Sequence, residues 1–345
     1  MQNADKDMAL FFADEPPGLK TNSIRWFQKQ VMRQSLKLPR EFKTLKQWGA
    51  FRAKLRKELP GVIGIPEFPK LKESYVRGRM RIGENVVCER VDVYVDEDYA
   101  IPSFVFSPLS PPKKPMPGLV WSPGWPQTKW ENSYQKFGER MARQGYVVLV
   151  MDHAPFGEAG FPGSPNMTLV MSMGHVLGYS QLAVRAAEAM RCGEYLRARG
   201  DVDAARVALS GLCQGGMDTW LAGAMDERFC AVAPICSAST LAAHFPEMAA
   251  YVANGDASPF PFGMLKVCDI DHLHAAVAPR PLLVRANLPD NWWPVSGYDD
   301  IESLTRKIYR LYKAEDKIDF RGEVHEHNLT GPFADALEAF LLKYV

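Results

Sequence analysis

Residues 205–225, "ARVALSGLCQGGMDTWLAGAM", decide how this chain is read. An apolar run meets a cluster of glycines around Cys213, and a helix-like segment follows. Gly211-Leu212-Cys213-Gln214-Gly215 fits glycine, any residue, nucleophile, any residue, glycine at a strand-to-helix junction, where a nucleophile elbow forms. The reason for glycine is steric. A nucleophile raised on a sharp, strained turn leaves no room for side chains two residues to either side. A helix starting at the nucleophile aims its free amides and positive end at it, which stabilises a thiolate and a developing oxyanion. Gly216 is a further small residue. The competing reading is a packed, inert thiol, and it is the one given to Cys88, Cys192, Cys230, Cys236 and Cys268. An elbow is a costly geometry for mere packing, so Cys213 is read as a nucleophile.

Outward from the elbow, the chain from about residue 116 alternates strands and helices. "PGLVWSPG" (117–124), "YVVLVMDH" (146–153), "FCAVAPICSAS" (229–239), "PRPLLVRAN" (279–287) and "KIDFRGEV" (317–324) read as strands. Helices are expected over 131–145, 175–199, 217–227, 301–314 and 332–344. Continuous apolar strands separated by helices imply an α/β fold with a mostly parallel central sheet covered on both faces. Residues 85–108 alternate like a hairpin. Residues 19–58 read as two amphipathic helices interrupted by Pro39, and "PGVIGIPEFPK" (60–70) as a linker. The expected organisation is an N-terminal helical extension over 1–84, packed on a domain spanning 85–345. The stretch 239–275, rich in Pro, Gly, Asp and aromatics, breaks the rhythm and is expected to be a lid insertion.

Composition narrows the function. The 345 residues carry 41 basic and 40 acidic side chains, a net charge of +1, which leaves no electrostatic footprint for nucleic acid or an anionic membrane. No apolar run approaches the roughly 20 residues that span a bilayer. The first residues carry acids where a signal peptide carries bases. Six cysteines without a CxxC pair are read as free thiols in a reducing, cytoplasmic setting.

An elbow nucleophile needs an acid and a histidine later in the chain, in that order. Asp290, in "LPDNWWP" after the 279–287 strand, stands at a strand's C-terminal edge, where open α/β sheets place their chemistry. Asp299 and Asp300 are rivals, read as acids opening the next helix. "GEVHEHNLTGP" (322–332) offers two histidines. His325 continues the strand, while His327 falls in the loop and is favoured by position. The oxyanion donors are expected to be the amide of Gln214 and one from "SPGWPQ" (122–127), either Trp125 or Gly124. In "DIDHLH" (269–274), a helix would point His272 and His274 apart, which favours solvated or capping roles over a metal site. His153, His175 and His244 are read as structural. Trp121, Trp125, Trp292 and Trp293, with Phe260 and Phe262, either wall an aromatic pocket or pack the core.

Gly211-Leu212-Cys213-Gln214-Gly215-Gly216 resembles the dienelactone hydrolase signature G-x-C-x-G-G. The surroundings look more like the acetyl-xylan-esterase and cephalosporin-deacetylase branch of the α/β-hydrolases. That branch carries G-x-S-Q-G-G after a "VD..R" lead-in, matched by 201–216, an "APRPLL" strand start, matched at 278–283, and an acid in D-x-x-x-P, matched by Asp290 to Pro294. "HNLTGPFADALEAFL" resembles the branch's H-[DN]-x-[TN] pattern and supports His327. The resemblance covers roughly 85–345 and leaves the N-terminal helices unexplained. The branch uses serine where this chain has Cys213. What it implies is an α/β-hydrolase fold and a Cys213–His327–Asp290 triad acting without a cofactor on an ester, lactone or thioester. The substrate expected is a small acyl compound, with aromatic or cyclic ones compatible. A homo-oligomer is compatible too. An acyltransferase or C–C-bond hydrolase on the same scaffold, or a non-catalytic binding protein, is the alternative.

Overall fold

Val147–Met151 shows in five residues how the interior is built. Val147, Leu149 and Met151 enter one core cluster, and Val148 and Val150 enter another. A strand whose alternate side chains are all buried lies in a sheet covered on both faces. The computed structural model describes residues 23–71, 74–160, 167–248, 260–288, 290 and 293–345. The strands are β1 (Tyr75–Ile82), β2 (Val86–Tyr94), β3 (Ala100–Pro108), β4 (Met116–Ser122), β5 (Val147–Met151), β6 (Val202–Leu212), β7 (Val232–Ile235), β8 (Leu282–Asn287) and β9 (Ile318–Glu323). Among the described residues they form one nine-stranded sheet in the order β1-β2-β3-β5-β4-β6-β7-β8-β9. Pairing is antiparallel from β1 to β5 and parallel from β5 through β4 to β9.

The helices are α1 (Ser23–Lys37), α2 (Leu45–Ile63), α3 (Asn132–Arg143), α4 (Met167–Val176), α5 (Gln181–Ala198), α6 (Gln214–Met225), α7 (Leu241–Met248), α8 (Ile270–Ala276), α9 (Val295–Tyr312) and α10 (Gly331–Tyr344). None is long and apolar enough to cross a membrane, among the described residues. Helix α2 buries Trp48, Leu55, Leu59 and Ile63, a stripe at helical spacing that joins the larger core cluster. Its amides start on the side chain of Thr44, and it ends at Gly64. A Cβ on Gly64 would meet the carbonyl oxygen of Gly178 at 1.8 Å. The helix therefore runs through Pro60 into the stretch expected to be a linker, because tertiary contact at Gly64 sets its end.

Three further boundaries differ from expectation. The sheet begins at Tyr75, inside the stretch assigned to the helical extension. In β1 both faces are exposed, and the interior Gly78 hides the periodicity. Its arginines hold it through ion pairs, Arg77 with Asp92 at 2.5 Å and Arg79 with Glu89. The helix expected over 175–199 starts at Gln181, after a turn at Gly178 and an N-cap on the Ser180 side chain. The stretch 239–275 is no uniform cover over the sheet. Residues 267–278 are buried, and α8 packs within the core under a capping box in which Asp269 and His272 satisfy each other's backbone amides. Its middle, 249–259, lies outside the described residues.

Candidate active site

The elbow lies where β6 passes into α6, at the end of the parallel sheet. Cys213 caps the helix with φ 57° and ψ −116°, a left-handed backbone that a non-glycine residue rarely takes. The glycines around it are there for lack of space. A Cβ on Gly211 would lie 2.3 Å from the carbonyl oxygen of Gly215, one on Gly215 would lie 2.0 Å from that of Ser122, and one on Gly216 would lie 2.3 Å from Ser237 Oγ. The Cys213 amide donates to the Ile235 carbonyl oxygen at 2.8 Å, which ties the turn to β7. Cys213 is partly exposed.

His327, from the loop between β9 and α10, places Nδ1 2.9 Å from Asp290 Oδ2. The Asp290 side chain is almost wholly buried. The buried Nε2 of His327 closes no hydrogen bond of good geometry. The thiol of Cys213 nonetheless acts on the ring. Burial opposes a charge on His327, but hydrogen bonding and charge from Asp290 and Cys213 outweigh it and hold the imidazole up at about 10. The arrangement favours an imidazolium at His327.

Of the two candidate histidines, His327 meets Asp290. His325 turns away: its Nε2 lies 2.9 Å from the Thr330 carbonyl oxygen and its ring packs edge-on against Phe333. Asp299 and Asp300 lie within α9, both exposed, and Asp300 accepts from Thr240 Oγ1 at 3.1 Å.

The loop after β4 runs against the elbow, so close that a Cβ on Gly124 would lie 3.2 Å from the Cys213 Cβ. The Gly124 amide donates to Tyr134 Oη at 3.3 Å, which favours Trp125 as the second oxyanion donor. Gln214, the first residue of α6, is the other candidate donor. Beneath this pair lies a network that the sequence reading missed. Arg185 is fully buried, donates to Gln214 Oε1, reaches Asp218 Oδ2 at 2.7 Å, and meets the Pro123 carbonyl oxygen at 3.4 Å. Ser122 Oγ donates to the same Asp218 oxygen at 2.6 Å, and His153 Nε2 stands 3.1 Å from Pro123 O. Burial and the Arg185 charge hold His153 well below its ordinary pKa, so it stays neutral. One signal was available: Arg185 and Glu188 are charges three residues apart in the otherwise largely apolar "QLAVRAAEA".

The aromatic residues divide. Trp121 is a core residue packed on Tyr134 and Phe137, so it walls no pocket. It points out of the β4 face that α3 covers. Trp293 is buried against His244 and Phe260. Trp125 is exposed, and Trp292 lies outside the described residues. His272 and His274 are buried, which corrects their expected solvation, while the capping role of His272 is present. Cys236, read as an ordinary core thiol, stands beside the site. Its Sγ, an Asp290 oxygen and a His327 ring nitrogen lie within 4.8 Å of one another. Those three atoms are the donor set a soft divalent ion would find here.

A strained cysteine at a strand-to-helix turn, a later acid and a last-loop histidine on a mostly parallel sheet define the α/β-hydrolase fold, and this chain has it. No family model matches the chain. Among solved structures it is similar to a methylesterase, with a TM-score of 0.68 and 20% identity, covering 92% of this chain and 68% of that one. It is also similar to a Bacteroides fragilis protein provisionally named an acetyl xylan esterase, with a TM-score of 0.68 and 17% identity over 91% of this chain and 86% of the other. A glucuronoyl esterase from Solibacter usitatus follows at 0.63 and 17%, covering 87% and 93%. At these identities what is shared is the fold. In sequence, YtaP of Bacillus subtilis (strain 168), provisionally named a hydrolase, is 24% identical over 183 residues, 52% of this chain. The match spans 58% of YtaP.

Proposed function

We propose that the protein is a carboxylic ester hydrolase in which Cys213 is the nucleophile, His327 the acid–base group and Asp290 the residue that orients it. The observation that carries this reading is the Nδ1–Oδ2 bond of 2.9 Å between His327 and Asp290, on an imidazole acted on by the thiol of the elbow. His327 takes the thiol proton, and the thiolate attacks the carbonyl carbon. The amides of Gln214 and Trp125 hold the oxyanion, an arrangement worth roughly 10²–10³ in rate per donor. Collapse expels the alcohol, which leaves with the proton from His327, and a thioester remains on Cys213. Water then gives a proton to His327 and attacks the thioester, the acid departs, and the thiolate is restored. Sulfur leaves a tetrahedral intermediate readily, which favours esters, lactones and thioesters over unstrained amides. The esterases among the similar structures, named for acetyl, methyl and glucuronoyl esters, support a carbohydrate-borne ester as the substrate class.

The test is turnover of p-nitrophenyl acetate, a lactone and an acetylated sugar by the wild type, Cys213→Ser and Cys213→Ala. Hydrolysis at background level in Cys213→Ala is expected. Wild-type turnover in that variant overturns the reading. Partition of product toward an added amine or alcohol identifies an acyltransferase on the same scaffold.

A further inference from the structure

We propose that Cys236 is the partner of Cys213 in a reversible disulfide formed by a hydroperoxide, and that this bond switches the enzyme off. The proposal rests on Cys213 being the nucleophile.

The two cysteines are register neighbours. Parallel strands β6 and β7 pair Gly211 with Pro234 and Leu212 with Ile235, so Cys213 and Cys236 are the next pair. The Cys213 amide is bonded to Ile235 O at 2.8 Å, so pairing persists to the end of the strand. Adjacent strands lie about 4.8 Å apart, inside the Cα separation of roughly 4.4–6.8 Å that a disulfide spans. Three non-glycine residues have positive φ among the described residues, and Cys213 at 57° and Cys236 at 51° are two of them. Helix entry explains the first. Cys236 starts no helix, yet it too has a positive φ where its strand ends. Strain of this kind gathers at functional sites. Both side chains neighbour the same ring: the Cys236 Sγ is within 4.8 Å of a His327 ring nitrogen, the Cys213 thiol acts on that imidazole, and Cys213 also bears on the Cys236 thiol through charge.

Exposure divides the roles. Cys213 is open to the site, so a small oxidant reaches it, whereas Cys236 is fully buried and is met only by what is already on Cys213. The chemistry balances. The Cys213 thiolate attacks the terminal oxygen of hydrogen peroxide; an S–O bond forms and the O–O bond breaks. The sulfur is oxidised by two electrons, the peroxide is reduced, and the departing hydroxide takes the His327 proton to become water. Neutral His327 then accepts the Cys236 proton, and that sulfur attacks the sulfenic sulfur. An S–S bond forms, the S–O bond breaks, and the hydroxide leaves with the proton as water. Serine at 213 would have no such chemistry. Two-electron reduction by a dithiol restores both thiols.

The full chain is treated with hydrogen peroxide, then dithiothreitol, with p-nitrophenyl acetate turnover and intact mass followed at each stage. The wild type is expected to lose activity at least about tenfold, lose the mass of two hydrogens, yield a Cys213–Cys236 linked peptide, and recover with dithiothreitol. Cys236→Ala and Cys236→Ser are expected to lose activity with added oxygen on Cys213 and to recover poorly. Absence of the linked peptide in the wild type overturns the proposal, as does equal recovery in both Cys236 variants. A linked peptide in fully active protein leaves the disulfide standing and overturns the nucleophile reading instead.

Discussion

Asp290 and Cys213 together hold the His327 ring away from its ordinary state, so changing either changes the ring. His327→Ala is expected to lower kcat/KM about 10²–10⁴-fold, measured with p-nitrophenyl acetate. The pH dependence follows from the raised imidazole. Its ordinary pKa is near 6.5, and here it is held at about 10, so the imidazolium persists through neutrality and is lost as pH rises through about 10. The acylation rate is expected to fall on that alkaline limb. Asp290→Asn removes a charge that raises the value, so the limb is expected to move to lower pH in stopped-flow acylation profiles. By linkage, the stability that His327 contributes is full below its ordinary pKa and disappears as pH rises through about 10. The choice between His325 and His327 was legible as loop against strand position. Their hydrogen bonds were not, because partners such as Thr330 O depend on how the loop turns.

At the scale of elements, the β6–α6 junction is a backbone contact more than a sequence motif. Gly215→Ala drives a Cβ to 2.0 Å from the Ser122 carbonyl oxygen, and backbone on backbone cannot yield as a flexible side chain can. A loss of about 1–3 kcal/mol or more is expected in urea unfolding, together with loss of turnover as β4 and its oxyanion loop shift. Gly200→Ala is the control: its Cβ would meet nothing within 4 Å, and a change within about 0.5 kcal/mol is expected. The spacing of Gly211, Cys213 and Gly215 in the chain was enough to locate this junction. Cys236 was not legible, because "FCAVAPICSAS" reads as one apolar run. Its position at the sheet edge appears only when β7 ends at Ile235.

In the whole molecule, the N-terminal helices are part of the body that carries the site. Trp48 from α2 is fully buried and shares its cluster with Leu209 of the elbow strand. Trp48→Ala is expected to cost about 3–5 kcal/mol in chemical unfolding. A single transition, seen alike by turnover and by tryptophan fluorescence, is expected, since helix and sheet share one interior. Two transitions would show that the helices fold apart.

By itself the sequence determined the alternation of strands and helices from β4 onward, the elbow and the chemical types at the site. These are local matters: apolar periodicity, glycine where a turn crowds, and an acid and a histidine after successive strands. Only the tertiary structure decided which groups meet. It set His327 against Asp290, put Arg185 beneath Gln214, drew Trp121 into the core, and brought Cys236 beside Cys213. Residues far apart in the chain become neighbours through strand order and register, and single-chain periodicity carries no information about either.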